Sequence, residues 1–217
     1  MAQDGVDPQL IATTMVARLN LRAGERVLLV AVPGRSDALI PELRERIRSA
    51  GATDLGALAS RGVADPAWAT EFTRGAPATR EELAKWLATV DVAIMMPGAP
   101  VTDAAYAAMQ DVLRTGKGRT IHFHWEGAYS IDGSPIDITP AIAAMYSAVL
   151  RDTDYRGLAA AQSAFERAVR AAPVRVTTPA GTDITFRIGD RPVTKQDGAP
   201  ILITPLARMR IRPHARS

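Results

Sequence analysis

The residues best suited to bind a metal ion or to take part in catalysis lie at the end of an apolar segment. This segment, residues 120–123, continues as His124-Trp125-Glu126. In an extended strand, side chains alternate between the two faces, so His122, His124 and Glu126 project to one side. Two imidazoles and one carboxylate could hold Zn²⁺ or Fe²⁺ with coordination positions left open. The alternative is two histidines satisfied by hydrogen bonds at a strand end. We favour this alternative, because a His-x-His pair arises easily by chance.

Nucleophilic catalysis has little support in the sequence. The chain contains no cysteine, which excludes thiolate nucleophiles, disulfides and iron–sulfur clusters. No serine lies in a Gly-x-Ser-x-Gly elbow. Asp152 and Asp154 precede a predicted helix, where helix capping is a better interpretation than an acid/base pair.

A second candidate is the segment 33–37, which follows an apolar run and opens a predicted helix. Arg35 and the helix N-terminus could together bind an anion there. However, the segment lacks the glycine spacing of dinucleotide-binding and phosphate-binding loops. We therefore predict a simple turn in which Ser36 or Asp37 caps the helix. The segment 97–100 is interpreted in the same way, with Thr102 or Asp103 as the cap.

Four short apolar runs must position these residues. They are Val27–Val32, Asp54–Leu58, Val92–Met96 and Thr120–Phe123. Nearly continuous apolarity is typical of strands covered on both faces, and the spacing leaves room for a crossover helix each time. The second run is ambiguous, because it is short and rich in glycine and alanine. The sequence predicts an α/β fold with a mainly parallel, doubly wound sheet and flanking helices.

Helix signals lie between the apolar runs. Caps are predicted at Thr79, at Thr139 before Pro140, and at Asp154. Apolar stripes follow at helical spacing: Leu39, Ile40, Leu43 and Ile47; Leu83, Trp86, Leu87 and Val90; Tyr106, Met109 and Leu113; Ile142, Met145, Tyr146, Val149 and Leu150; Leu158, Phe165 and Val169. We expect these stripes to pack into the core rather than to line a cofactor.

The pattern changes at Pro173. Residues 174–178 and 183–188 alternate with period two around Pro179-Ala180-Gly181-Thr182, which predicts a β-hairpin. Two strands cannot bury a core alone, so the hairpin is interpreted as the start of a truncated second domain. The predicted organisation is an α/β domain over 1–172, the start of a β-rich catalytic domain over 173–198, and a tail over 199–217.

The tail differs from the rest in charge. Residues 1–197 hold 22 basic and 23 acidic residues, whereas the residues after Asp197 include four arginines and no acid. Arginine-rich and proline-rich runs are what a GC-rich gene yields when it is read out of frame. We therefore predict that 199–217 is a non-native or disordered tail left by a frameshift or early truncation, with a natural basic tail as the alternative.

Composition bounds the partners and the location. The net charge of +3 comes from the tail, so the neutral body argues against nucleic acid. No apolar run exceeds six residues, the length of Val27–Val32, against the roughly 20 needed to cross a bilayer. We expect no membrane insertion and a cytoplasmic location. A homodimer remains a candidate assembly.

The segment from Phe165 to Gly198 resembles the inter-domain passage of the leucyl aminopeptidase (aminopeptidase T) family of metallopeptidases. The resemblance is carried by Phe165-Glu166-Arg167-Ala168, by 174–186 with its Pro179-Ala180-Gly181-Thr182-Asp183 motif, by Gly189-Asp190-Arg191-Pro192 and by Asp197-Gly198. Residues 21–28 and Thr153-Asp154-Tyr155 are similar to the N-terminal domain of that family. The resemblance covers most of residues 10–198, and the hairpin motif is its most specific part.

The resemblance implies an α/β domain followed by a β-rich catalytic domain with a two-metal site for zinc, cobalt or manganese, acting on a peptide substrate. The family's ligands lie beyond the hairpin, and no position of this chain matches one. We therefore expect no peptidase turnover from this chain as it stands. Ring-cleaving iron dioxygenases share the scaffold, so ring cleavage is an alternative activity for the intact protein from which a truncated chain would derive. A non-catalytic α/β module that binds a small ligand or dimerises is the other alternative.

Overall fold

A computed structural model describes residues 7–34, 37–60, 66–96, 102–115, 118–123, 139–191, 193 and 201–202. Only the backbone of residues 201 and 202 is described. The chain divides into two compact units. The first contains Met1–Arg151 and Pro200–Ser217, and the second contains Asp152–Ala199. The unit that holds the hairpin therefore begins before the boundary predicted at residue 172.

Helices separate the first four strands along the chain. The described strands are β1 (Arg26–Ala31), β2 (Thr53–Ala59), β3 (Val92–Met95), β4 (Arg119–His122), β5 (Val174–Thr177), β6 (Asp183–Phe186) and β7 (Ile201–Leu202). The described helices are α1 (Pro8–Leu19), α2 (Leu39–Ser49), α3 (Glu71–Arg74), α4 (Arg80–Leu87), α5 (Ala104–Arg114), α6 (Pro140–Asp152) and α7 (Tyr155–Ala171), with a 3-10 turn at Pro66–Trp68.

The first unit is built on one sheet with the strand order β2-β1-β3-β4-β7. The first four strands are parallel, and β7 pairs antiparallel with β4. Helices α1 and α2 pack on one face of the sheet, and α4 and α5 pack on the other. The predicted α/β fold with a mainly parallel, doubly wound sheet is therefore confirmed.

The central strands show why nearly continuous apolar runs are needed. In β1, residues Val27–Ala31 are fully buried. Leu29 contributes to the core beneath α2, whereas Leu28 contributes to the core beneath α5. A strand covered on both faces needs an apolar side chain at every position, which is the pattern that the sequence shows.

The ambiguous second run forms β2, at one edge of the sheet. The pairing of β1 with β2 is irregular between Val27 and Leu29. Gly56 lies at this irregularity in β2 with φ +89°, a conformation that L side chains rarely adopt. The glycine that weakens the strand pattern is therefore required by the bulge.

Most predicted helix caps are confirmed. Thr79 Oγ1 accepts a hydrogen bond from Glu82 N at 3.3 Å, and Asp103 Oδ1 accepts one from Tyr106 N at 2.9 Å. The Oδ1 atom of Asp154 accepts hydrogen bonds from the first turn of α7. Helix α6 begins at Pro140, as predicted.

The expectation that every apolar stripe packs into the core holds only in part for α6 and α7. Tyr146 and Leu150 of α6 pack against the core. The α2 stripe is buried, but Met145 and Val149 of α6 are 61% and 54% exposed. In α7, Phe165 is 68% exposed, whereas Val169 is buried. Helical periodicity places apolar residues on one face, but it does not supply an element to cover that face.

The second unit contains α7 and the predicted hairpin, which is confirmed as β5 and β6. Val174 pairs with Phe186, and Val176 pairs with Ile184. Because paired residues share a face, one face of the hairpin is apolar. Val176, Ile184 and Phe186 are all exposed.

The predicted tail contributes β7 to the sheet of the first unit. The backbone of Ile201 pairs with Thr120, and that of Leu202 pairs with Arg119. The rest of 199–217 lies outside the described residues, so the predicted non-native origin of the tail stays a prediction. Among the described residues, no helix combines the length and the apolar character that a membrane span requires.

Candidate functional site

Ligands of open parallel sheets bind beyond the carboxyl ends of the strands, where the strand order reverses. In this sheet the reversal lies between β1 and β3. The described residues at this edge include Gly34 and Asp37 after β1, Met96 after β3, and His122 at the end of β4. Residues 35–36, 61–65, 97–101 and 124–138 lie outside the described part of the chain.

The turn after β1 differs from the predicted capping turn. Ala38 is the N-cap of α2 and makes no side-chain capping bond. Asp37 instead closes the turn itself, because its Oδ1 atom accepts a hydrogen bond from Gly34 N at 3.2 Å. The expectation that Asp37 caps α2 is therefore wrong. Ser36 and Arg35, the predicted alternative cap and anion ligand, lie outside the described residues.

The end of β4 has the predicted alternation over residues 121–123. Ile121 and Phe123 pack into the core on the face of α1 and α2. On the opposite face, the ring of His122 lies edge-on to Tyr106, with centroids 6.2 Å apart and planes at 80°. Burial raises the pKa of the Tyr106 phenol, which is therefore neutral near pH 7. His122 thus lies beside a protonated hydroxyl-bearing ring.

The predicted metal ligands are only partly described. His122 is placed as above, whereas His124 and Glu126 lie outside the described residues, so the predicted trio stays a prediction. Within the described ranges, no three His, Asp or Glu side chains lie close enough together to hold a metal ion. We therefore assign the described residues no metal-dependent step.

A surface cavity of about 410 Å³ lies along α2. Its apolar lining consists of Ile40, Pro41, Ala67 and Trp68, and its charged lining consists of Asp37, Arg44 and Arg48. Trp68 belongs to the 3-10 turn after β2 and is only 4% exposed. The cavity therefore has a fixed aromatic residue in one wall and two guanidinium groups along the helix.

Both guanidinium groups are fixed by one carboxylate. Asp54 Oδ2 accepts a hydrogen bond from Arg44 Nε and another from Arg48 Nη1, each at 2.8 Å. Arg44 Nη1 also donates to the Ala67 carbonyl at 3.1 Å, and Arg48 Nη2 donates to Glu45 at 2.8 Å. The bond with Glu45 is the main reason that the pKa of Arg48 is raised. The two side chains are thereby held in defined positions before any ligand arrives.

Sequence reasoning missed this cavity. The available signal was the spacing of Arg44 and Arg48, four residues apart on one helix face, together with the nearby Asp54. Our sequence interpretation of α2 used only its apolar stripe, and nothing in that stripe indicates that the turn at Pro66–Trp68 lies against the helix. Comparison with protein-family models, curated proteins and solved structures finds no match for this chain.

Proposed function

We propose that this chain belongs functionally with the metal-dependent aminopeptidases, in which a metal-activated water hydrolyses an N-terminal peptide bond. The proposal rests on the sequence resemblance around the hairpin. It is supported by the order of elements, since an α/β unit precedes a β-hairpin as the resemblance implies.

The geometry of the hairpin motif is the observation that carries the proposal. Gly181 has φ +98°, and Thr178 N donates to the Thr182 carbonyl at 3.0 Å. Thr182 N donates in turn to Thr178 Oγ1 at 3.2 Å. Asp183 accepts two hydrogen bonds from the Arg175 guanidinium, at 2.8 and 2.7 Å. Each of these residues therefore has a defined structural role in the hairpin, the segment in which the resemblance is most specific.

In this proposal the hairpin residues position backbone, and they do not touch the reacting atoms. Arg175 and Asp183 fix the polar face, while Val176 and Ile184 present the apolar face to whatever further β structure a catalytic unit contains. Among the described residues none is assigned to acid/base chemistry on a peptide.

An arylamide assay tests the activity of the chain as it stands. The purified chain is incubated with aminoacyl-arylamides and added Zn²⁺, Co²⁺ or Mn²⁺, and arylamine release is followed. We expect no release, because no position of the chain matches a family ligand. Metal-dependent release would contradict this expectation and would direct attention to His124 and Glu126.

The nucleotide sequence of the gene tests whether the chain derives from an aminopeptidase. We expect one of the other two reading frames downstream of the Gly198 codon to encode a β-rich segment with Glu, His and Asp. A protein expressed in that frame is expected to release arylamine when metal is added. If neither frame encodes such a segment, the aminopeptidase proposal fails and a non-catalytic module is the better interpretation.

A further inference from the structure

The cavity along α2 is independent of the hairpin and of the proposed peptidase chemistry. Its volume of about 410 Å³ lies within the range of about 300–1,000 Å³ that is typical of small-molecule sites. We propose that this cavity binds a small organic oxyanion, a carboxylate or phosphate on an apolar body, through Arg44 and Arg48.

Both arginines keep donors for a ligand. A guanidinium group has five N–H donors in a fixed plane. The bonds to Asp54 and Ala67 use two donors of Arg44, and the bonds to Asp54 and Glu45 use two donors of Arg48. A planar or tetrahedral oxyanion is the group that accepts from such donors most strongly.

The two arginines are also accessible to different degrees. The side chain of Arg44 is 18% exposed and that of Arg48 is 50% exposed, whereas their shared partner Asp54 is 5% exposed. The buried Asp54 carboxylate therefore orders both guanidinium groups and leaves the more exposed one, that of Arg48, accessible to a ligand. Ordering the side chains in advance reduces the entropy lost on binding.

The remaining lining residues indicate the rest of the ligand. Pro41 and Ala67 are the exposed apolar lining residues, whereas Ile40 and Trp68 are buried and contribute little surface to the cavity. Asp37 is the acidic lining residue, and it lies in the turn before Ala38, the N-cap of α2. The proposal places the oxyanion at the two arginines and the apolar body of the ligand against Pro41 and Ala67.

Calorimetric titration of the full chain with phenyl phosphate, benzoate, inorganic phosphate and phenol tests the proposal. We expect phenyl phosphate or benzoate to bind about tenfold more tightly than phenol, because phenol lacks the charge-assisted hydrogen bonds. Comparison of phenyl phosphate with benzoate identifies the preferred oxyanion. Inorganic phosphate is expected to bind more weakly than phenyl phosphate, because it lacks the apolar body.

Matched variants separate the site from general charge effects. Arg48→Gln is expected to weaken the binding of phenyl phosphate or benzoate, whichever binds the wild-type chain more tightly, by about tenfold. Arg46→Gln removes the same charge from an exposed position on α2 outside the cavity and is expected to change nothing. Arg48→Lys keeps the charge but loses the planar guanidinium group, so its affinity for the anion is expected to lie between those of Arg46→Gln and Arg48→Gln. Thermal melting establishes that each variant is folded.

Three results would overturn the proposal. One is that neither phenyl phosphate nor benzoate binds the wild-type chain at millimolar concentration. Another is that phenol or inorganic phosphate binds as tightly as phenyl phosphate. The third is that Arg46→Gln weakens binding as much as Arg48→Gln does.

Discussion

The guanidinium group of Arg119 forms a bidentate ion pair with the carboxylate of Glu25, with Nη2 and Oε2 2.7 Å apart. Arg119 is the first residue of β4, and Glu25 directly precedes β1. The same Nη2 also donates to the Leu19 carbonyl at the end of α1, at 3.2 Å. One side chain therefore joins three elements at the amino edge of the sheet.

Arg119→Met is expected to lower the free energy of unfolding by about 2–3 kcal/mol. The substitution removes the guanidinium donors from the Leu19 carbonyl and from the largely buried Glu25 carboxylate, which keeps only the hydrogen bond from Arg22 N. Urea denaturation measures the change. Lys85→Met is the control, since Lys85 and its partner Glu81 are both highly exposed and such pairs contribute about 0.5 kcal/mol or less. Equal effects of the two substitutions would contradict the assigned role of Arg119.

The ion pair also predicts a pH dependence. The hydrogen bond from Arg119 is the main reason that the pKa of Glu25 is lowered from its ordinary value of 4.5. The folded chain therefore binds this proton less tightly than the unfolded chain does. The contribution of the pair is complete above the ordinary pKa and is lost as the pH falls through the lowered, folded value.

Comparison of the wild-type chain with Glu25→Gln between about pH 6 and pH 3 isolates this contribution. The wild-type chain is expected to lose more unfolding free energy on acidification than the variant does, because the variant lacks the titrating carboxyl group. Parallel curves for the two proteins would show that Glu25 does not contribute.

Gly56→Ala is expected to destabilise the chain much more than Gly24→Ala. Both glycines have positive φ, at +89° and +81°, so each alanine carries a backbone strain of about 1 kcal/mol. At Gly24 a Cβ would meet nothing within 4 Å, whereas at Gly56 it would lie 2.6 Å from Thr70 Cγ2 and 3.0 Å from the Trp68 carbonyl. Chemical denaturation gives the difference, and equal losses would refute the tight packing at the bulge.

Met145 and Met109 provide a matched pair for the core. Met109 of α5 is fully buried and Met145 of α6 is 61% exposed, although the sequence predicts core packing for both. Met109→Ala is expected to cost about 2–4 kcal/mol of unfolding free energy, and Met145→Ala about 0.5 kcal/mol or less. A large loss at Met145 in thermal or urea unfolding would mean that another surface covers α6.

The sheet could be predicted because its strands carry their own signal. Val27–Ala31 and Val92–Met95 are apolar at every position, which only a strand covered on both faces requires. The caps at Thr79 and Asp103 could also be predicted from local sequence. In each, the side chain accepts a hydrogen bond from the backbone N–H of the residue three positions later. Asp37 misled because an aspartate bonds a preceding turn as readily as a following helix.

The site was harder to predict because its parts are distant along the chain. The cavity depends on Trp68 lying beside Arg44, and the junction at Glu25 depends on an arginine 94 positions later. No spacing rule links such residues. Exposure was missed for a similar reason, since the pattern of Met145 and Val149 is the same whether or not another element covers their face.

The bulge at Gly56 also bears on self-association. Among the strands that the structure describes, β2 ends the strand order, so its outer edge presents backbone groups to which another chain's strand could add. At the bulge the Leu55 carbonyl already accepts a hydrogen bond from Thr70 Oγ1 at 2.7 Å, and Gly56 N already donates to Asp54 Oδ1 at 2.9 Å. An incoming strand would find this stretch twisted and its hydrogen bonds occupied, so this edge resists the strand-by-strand addition that extends a sheet into a fibril.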